Sequence, residues 1–123
     1  MDKSQNLPLD LQGVFDVVWE RAKNKVAAMN EREECCYRTT HNGEPIACFL
    51  GVCIPDSLYD PRMEMKDANT LAEQFPVQFI KVFGDTDPEY LRDMQRIHDF
   101  KDPSEWDHSL RCFANAYELT IPE

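Results

Sequence analysis

The sequence predicts a mainly α fold: one compact helical domain over residues 1–123, with a short β-hairpin around residues 36–48. Three observations predict it. Apolar residues recur at three- and four-residue steps over long stretches. Asp87-Pro88-Glu89 and Asp102-Pro103-Ser104-Glu105 both read as helix-start signals. One Asn-Gly pair, Asn42-Gly43, stands between two short segments of extended character. The length of 123 residues suits one domain and can bury about two-thirds of the unfolded surface, so a core forms without staples.

Residues 1–9 read as an extended lead-in, because Pro8 holds Leu7 away from helical angles. Asp10 is the expected N-cap of the first helix. Leu11, Val14, Phe15, Val18, Trp19, Ala22 and Val26 then form one apolar stripe, which carries the helix to about Met29. A polar break covers 30–34. Segments 36–40 and 44–48 flank His41-Asn42-Gly43, and Pro45, which cannot donate a ladder bond, makes its arm an irregular edge.

Residues 47–54 are the most apolar run and end at Pro55; they read as a short buried helix opening near Cys48. Proline-punctuated turns follow through Pro61. Asp67 caps a helix through Phe75, and Pro76 starts another through about Phe83, closed by Gly84. The helix after Asp87 presents Tyr90, Leu91, Met94, Ile97 and His98 on one face. The last helix, opened at Asp102-Pro103-Ser104-Glu105, buries Trp106, Leu110, Phe113, Ala114 and Tyr117.

The formal net charge is −10, with 13 basic and 23 acidic residues. Residues 1–55 carry a net −2 and residues 56–123 a net −8, so the acid excess lies on the C-terminal helices. This balance excludes a generic nucleic-acid or anionic-membrane binder, both of which need a basic footprint. No stretch approaches the roughly 18 apolar residues of a membrane span. The first ten residues lack the apolar core of a secretory signal, so a cytoplasmic location is expected.

The five cysteines, Cys35, Cys36, Cys48, Cys53 and Cys112, are odd in number and include an adjacent pair, which suits thiols in a reducing compartment. Cys36, Cys48 and Cys53 with His41 or His98 invite comparison with structural zinc. Their spacing, eleven and then four intervening residues, is not the close-pair spacing of such sites. Buried thiols are the favoured reading, and no metal or cofactor is expected.

Catalytic residues are not assigned. Cys48 as a nucleophile activated by His98, with Asp99 beside it, is the pair that would serve a thiol-dependent enzyme. Tyr37 and Arg38 could bind an anion, although a salt bridge of Arg38 to a nearby acid is the favoured reading. Tyr37, Arg38, Asp56, Tyr59 and His98 are the expected lining of any ligand pocket. Acidic helices could also imitate a phosphate backbone and occupy a basic groove on another protein, although solubility alone accounts for such acidity.

The string from Cys48 to Glu64, with Gly51, Pro55-Asp56, Tyr59, Pro61 and Met63-Glu64, resembles a group of small phage and prophage proteins of unknown function. Their pattern is C-A-x-G-x-L-I-P-D-x-x-Y-x-P-x-M-E. A preceding C-x-Y-R segment corresponds to Cys36-Tyr37-Arg38 with a doubled cysteine, and a later histidine-aspartate and tryptophan helix correspond to His98-Asp99 and Trp106. Phe49 and Cys53 depart from the pattern, where alanine and leucine are usual. The leucine at the second position marks Cys53 as packing.

The resemblance implies phage origin and a compact helical fold with a small hairpin, in which Cys36, Cys48, Gly51, Pro55 and Trp106 are structural. It implies no reaction. The expected function is a non-enzymatic, phage-encoded accessory protein that binds a host or phage protein and inhibits a host defence through its acidic helical surface. The alternatives are the Cys48/His98 enzyme and a sponge for a small ligand or nucleotide. Neither nucleic acid nor membrane is an expected partner, and exposed aromatics on the last helix would permit a homodimer.

Overall fold

A computed structural model describes residues 7–122. Five α-helices and one antiparallel hairpin are present among them: α1 (Leu11–Ala22), β1 (Arg38–His41), β2 (Glu44–Ala47), α2 (Ala68–Gln74), α3 (Pro76–Phe83), α4 (Pro88–Phe100) and α5 (Trp106–Ala116). The mainly α fold with a short hairpin is therefore the observed one.

The local start signals act as their chemistry requires. Asp10 accepts the Gly13 N–H at 2.7 Å, and Asp67 accepts that of Thr70 at 2.9 Å. Asp87 and Asp102 accept from Glu89 and Ser104, both at 2.9 Å, each with a proline at the next position. Each cap satisfies a helix-end donor and contributes about 1 kcal/mol. Asn42 and Gly43 take φ values of 54° and 82°, as a type I′ turn demands, and pair Thr39 with Ile46 and His41 with Glu44. Of the lead-in, residues 1–6 lie outside the described residues; Leu9 donates its N–H to Val82 O at 2.7 Å.

Three elements differ from expectation. The first helix ends at Ala22, seven residues before Met29. Arg21 turns back and donates to Val26 O and Ala47 O, both at 2.6 Å, while Lys25 takes a φ of 58°. The chain from Val26 then runs extended into a bridge between Met29 and Cys35. Val26 continues the apolar period of α1, but two carbonyls captured by a half-buried guanidinium outweigh one more helical turn.

The apolar run 47–54 is not a helix either. It forms a single 3-10 turn, Gly51–Cys53, because Pro55 limits its length and the chain packs directly on Tyr37. Similarly, Asp102-Pro103 opens a 3-10 turn, Pro103–Glu105, and α5 begins only at Trp106.

The core is built around Phe15, Phe49, Phe83, Leu50, Leu91, Met94, Leu110 and Trp106, all nearly fully buried. Trp106 lies across Phe49 at 4.9 Å between ring centroids and stacks on the His98 ring at 5.4 Å. Tyr117, expected to be buried, packs on Tyr90 at the surface with ring centroids 4.9 Å apart. Gln95 takes the inward place on α4. Among the described residues the exposed aromatics are Tyr90 and Phe100 of α4, and none lies on α5, where exposed aromatics would have permitted a homodimer. Among the described residues no helix is long and apolar enough to cross a membrane.

Candidate functional site

The five expected pocket residues divide into separate groups. Arg38, Asp56 and Tyr59 form a cluster at the root of the hairpin. The Arg38 guanidinium donates to Asp56 Oδ1 at 2.7 Å and Ile54 O at 2.6 Å, and lies 4.3 Å from the Tyr59 ring centroid. These contacts make Arg38 the salt-bridged residue of the favoured reading. Beneath it Glu64 accepts three hydrogen bonds, from the Tyr37 and Arg38 backbone N–H groups at 2.8 and 3.0 Å and from the Tyr59 hydroxyl at 2.5 Å. Burial and the bond to Glu64 push the Tyr59 hydroxyl well above the ordinary phenol range.

Tyr37 faces the other way, and its hydroxyl donates to Lys66 O. It lines a cavity of about 330 Å³ between the segment before the hairpin, the start of α2 and one face of α4. Cys35, Cys36 and Cys48 line the same cavity, with Met65, Lys66, Asp67, Arg92, Gln95, Arg96, Asp99 and Phe100. Most of these residues carried no sequence expectation. The signal for them was the spacing Arg92, Arg96, Asp99, which places polar groups on one stripe of α4 beside its buried face.

His98 does not open onto this space; its side chain is fully buried. Nε2 accepts the Ala28 N–H at 3.0 Å, so the neutral ring carries its proton on Nδ1, which lies 3.0 Å from Asp99 Oδ1. Gln95 Nε2 donates to the same oxygen at 2.8 Å, and Gln95 Oε1 accepts the Leu50 N–H at 2.9 Å. The loop before the hairpin, the 3-10 turn and α4 thus meet in a buried polar chain that ends at the Asp99 carboxylate.

Both nitrogens of His98 are engaged by this chain, so the imidazole is not placed as a base for Cys48. Cys48 is itself buried, and its sulfur accepts the Gly51 N–H at 3.2 Å. Burial pushes its pKa well above the ordinary thiol range and outweighs that bond. Cys35 is pushed up to about 12 by burial and by the neighbouring Asp99 carboxylate. Both sulfurs are therefore thiols at neutral pH, the form that does not attack carbonyls or disulfides.

Cys36, Cys48 and Cys53, the trio compared with structural zinc, do not converge as a ligand group among the described residues. Cys53 lies apart from the cavity and donates to Phe49 O at 3.7 Å. Among the described residues one group of ligating atoms does converge, from Cys35, His98 and Asp99, within 4.8 Å of one another. Its donor set does not suit a divalent ion. With Nε2 holding the Ala28 N–H, Nδ1 is protonated, and a metal at that atom would require an imidazolate or loss of the bond.

Thiol exposure gives a direct check on this arrangement. Cys112 is exposed beside His108, whereas Cys36, Cys48 and Cys53 are buried. Alkylation of the folded protein at pH 8 is expected to label Cys112 first and Cys35 slowly, with the other three protected until denaturation. Because the Cys35 thiolate forms only near pH 12, its labelling rate should keep rising with pH past the value of about 9 at which an ordinary cysteine levels off. Rapid labelling of Cys35 or Cys48 at pH 7 would contradict their burial.

No protein-family model matches the chain, and neither curated proteins nor solved structures provide a match.

Proposed function

We propose that the protein is a non-enzymatic accessory protein that captures a small anionic ligand in the cavity between the hairpin root and α4. One observation carries this reading. In a chain of net charge −10, Lys66 and Arg96 stand at the cavity without a carboxylate partner among the described residues. Arg92, beside them, is held only loosely, 3.8 Å from Asp67 and 3.5 Å from Glu89.

Unpaired cations around a partly enclosed space favour an anion, because the cavity walls reduce screening by water. The volume of about 330 Å³ is at the lower end of the range of ligand pockets, roughly 300–1,000 Å³. In the phage setting that the sequence resemblance implies, capture would withdraw such a molecule from the host cell.

Native mass spectrometry of the protein purified from bacterial cells tests the reading. A retained low-mass anion, displaced by added inorganic phosphate and lost in the Lys66→Glu/Arg96→Glu variant, is the expected result. A ligand-free protein that also shows no thermal shift with inorganic phosphate or nucleoside monophosphates would overturn it.

Binding of a host or phage protein through acidic helices is the second reading. It is favoured by six exposed carboxylates, Asp85, Asp87, Glu89, Asp102, Glu105 and Asp107, around the starts of α4 and α5. Several of these acids already have local tasks. Asp87 and Asp102 are caps, and Asp107 pairs with Arg111 at 3.0 Å. Reversal of Asp85, Glu89 and Glu105 to lysine should abolish co-purification of a partner if this surface binds one; unchanged co-purification would dismiss it.

A further inference from the structure

The ligand cavity contains a second unbalanced group besides its cations. The Asp99 side chain is about a quarter exposed, at 27%, and lines the cavity. Its Oδ1 accepts from both Gln95 Nε2 and His98 Nδ1, at 2.8 and 3.0 Å. Neither donor can rotate away. Leu50 N–H holds the Gln95 amide by its oxygen, and Ala28 N–H holds His98 in the Nδ1-protonated form. The carboxylate is thereby fixed by one oxygen, and among the described residues Oδ2 has neither an N–H donor nor a cationic partner. The weakly donating Cys35 thiol lies beside the group.

A fixed carboxylate oxygen facing a cavity selects a ligand that brings N–H donors and no lone pair to the same place. Lys66 and Arg96, which line the cavity without an ion-pair partner among the described residues, select an anionic group. Two exposed apolar side chains complete the lining: Phe100, 73% exposed with the Arg96 guanidinium 5.1 Å from its ring centroid, and Met65, 61% exposed. Such side chains offer a face to a planar ring.

We propose that the cavity is a binding site for a guanine mononucleotide, with Asp99 reading the base and Lys66 and Arg96 holding the phosphate. This deepens the ligand-capture reading and rests on it. Guanine presents adjacent donors, the ring N1–H and the exocyclic amine, and both suit a carboxylate. Adenine places its N1 lone pair beside its amine, and a carboxylate repels that lone pair. Base recognition through hydrogen bonds to this edge, with stacking on side chains, is the usual means by which proteins read an unpaired base. Ala28, Gln95 and His98 are positioning groups: they determine which oxygen of Asp99 meets the ligand.

The test is calorimetric titration of the full chain with GMP, AMP and inorganic phosphate, for the natural sequence and for Asp99→Asn. GMP is expected to bind at least tenfold more tightly than AMP. In Asp99→Asn the buried donors of Gln95 and His98 still require an oxygen, so the new amide must turn its NH2 toward the cavity. The GMP preference should then fall to within threefold or reverse, with phosphate binding unchanged. Equal affinities for GMP and AMP in the natural sequence would overturn the proposal, as would an unchanged preference in Asp99→Asn.

Inorganic phosphate binding that depends on Lys66 and Arg96, without any base preference, would leave anion capture standing and remove guanine recognition. Binding of none of the three probes would remove both. Should Asp99→Asn fail to fold, the GMP-to-AMP ratio of the natural sequence and the loss of GMP binding in Lys66→Ala/Arg96→Ala still decide the matter.

Discussion

Replacing Glu64 with alanine is expected to destabilise the protein by about 4 kcal/mol. One carboxylate holds three donors from two separate parts of the chain: the Tyr37 and Arg38 backbone N–H groups and the Tyr59 hydroxyl. A net contribution of about 1.5–3 kcal/mol is typical for a bond to a charged group, and the three donors share a single acceptor group, so the sum is less than three times that value. Alanine leaves two half-buried backbone N–H groups without an acceptor where the chain enters the hairpin, which is costlier than losing an exposed pair. The carboxylate also fixes Tyr37, whose side chain walls the cavity beside α4.

Urea unfolding followed by circular dichroism gives the value. Glu64→Gln should fall between the natural protein and Glu64→Ala, because an amide oxygen can still serve one or two of the donors while its NH2 opposes the third. A loss below 1 kcal/mol for Glu64→Ala would show that these bonds are replaced by water at no net cost.

Gly51→Ala should destabilise by about 3 kcal/mol or more, at the upper end of overpacking effects. A Cβ at this position would stand 2.2 Å from Tyr37 O and 2.9 Å from Tyr37 C. These are backbone atoms, so no side-chain rotation relieves the overlap. The Cys48 N–H donates to the same Tyr37 carbonyl at 3.2 Å, and the clash therefore separates the hairpin root from the 3-10 turn. The urea midpoint of the variant checks this, and a shift corresponding to less than 1 kcal/mol would refute the close approach. The contrast is Gly43→Ala, where nothing lies within 4 Å of the new Cβ and the strain comes only from a φ of 82°. Its effect should be smaller, about 1 kcal/mol.

These two residues show why parts of the molecule were legible in the sequence and parts were not. Gly51 and Glu64 stand in the string from Cys48 to Glu64, but their spacing carries no information about what they touch. Glu64 looks like one acid among 23, and its role exists only because the turns between Pro55 and Met63 bring it under Tyr37. The helix caps are the opposite case. Asp10, Asp67, Asp87 and Asp102 act on donors two or three residues away, so a short window contains both partners. The Asn42-Gly43 turn is local for the same reason.

The candidate site was legible in part. Tyr37 and Cys48 do line the cavity, whereas Arg38, Asp56 and Tyr59 lie in a separate ion-pair cluster and His98 sits behind the wall. Lys66 and Arg96 were unmarked because each belongs to a polar type that the surface uses everywhere, and Asp99 was marked only as the neighbour of His98, not as a cavity group.

The sequence by itself determined the mainly α architecture, most helix starts and the hairpin turn, all of which depend on backbone donors, caps and φ preferences within a few residues. Tertiary structure decided where α1 stops, since the carbonyl of Ala47, captured by Arg21, lies 26 residues along the chain. It also decided which acids matter. Asp99 differs from the other carboxylates only because the Ala28 N–H fixes the His98 tautomer from 70 residues away, and such a partner has no periodicity from which it could be read.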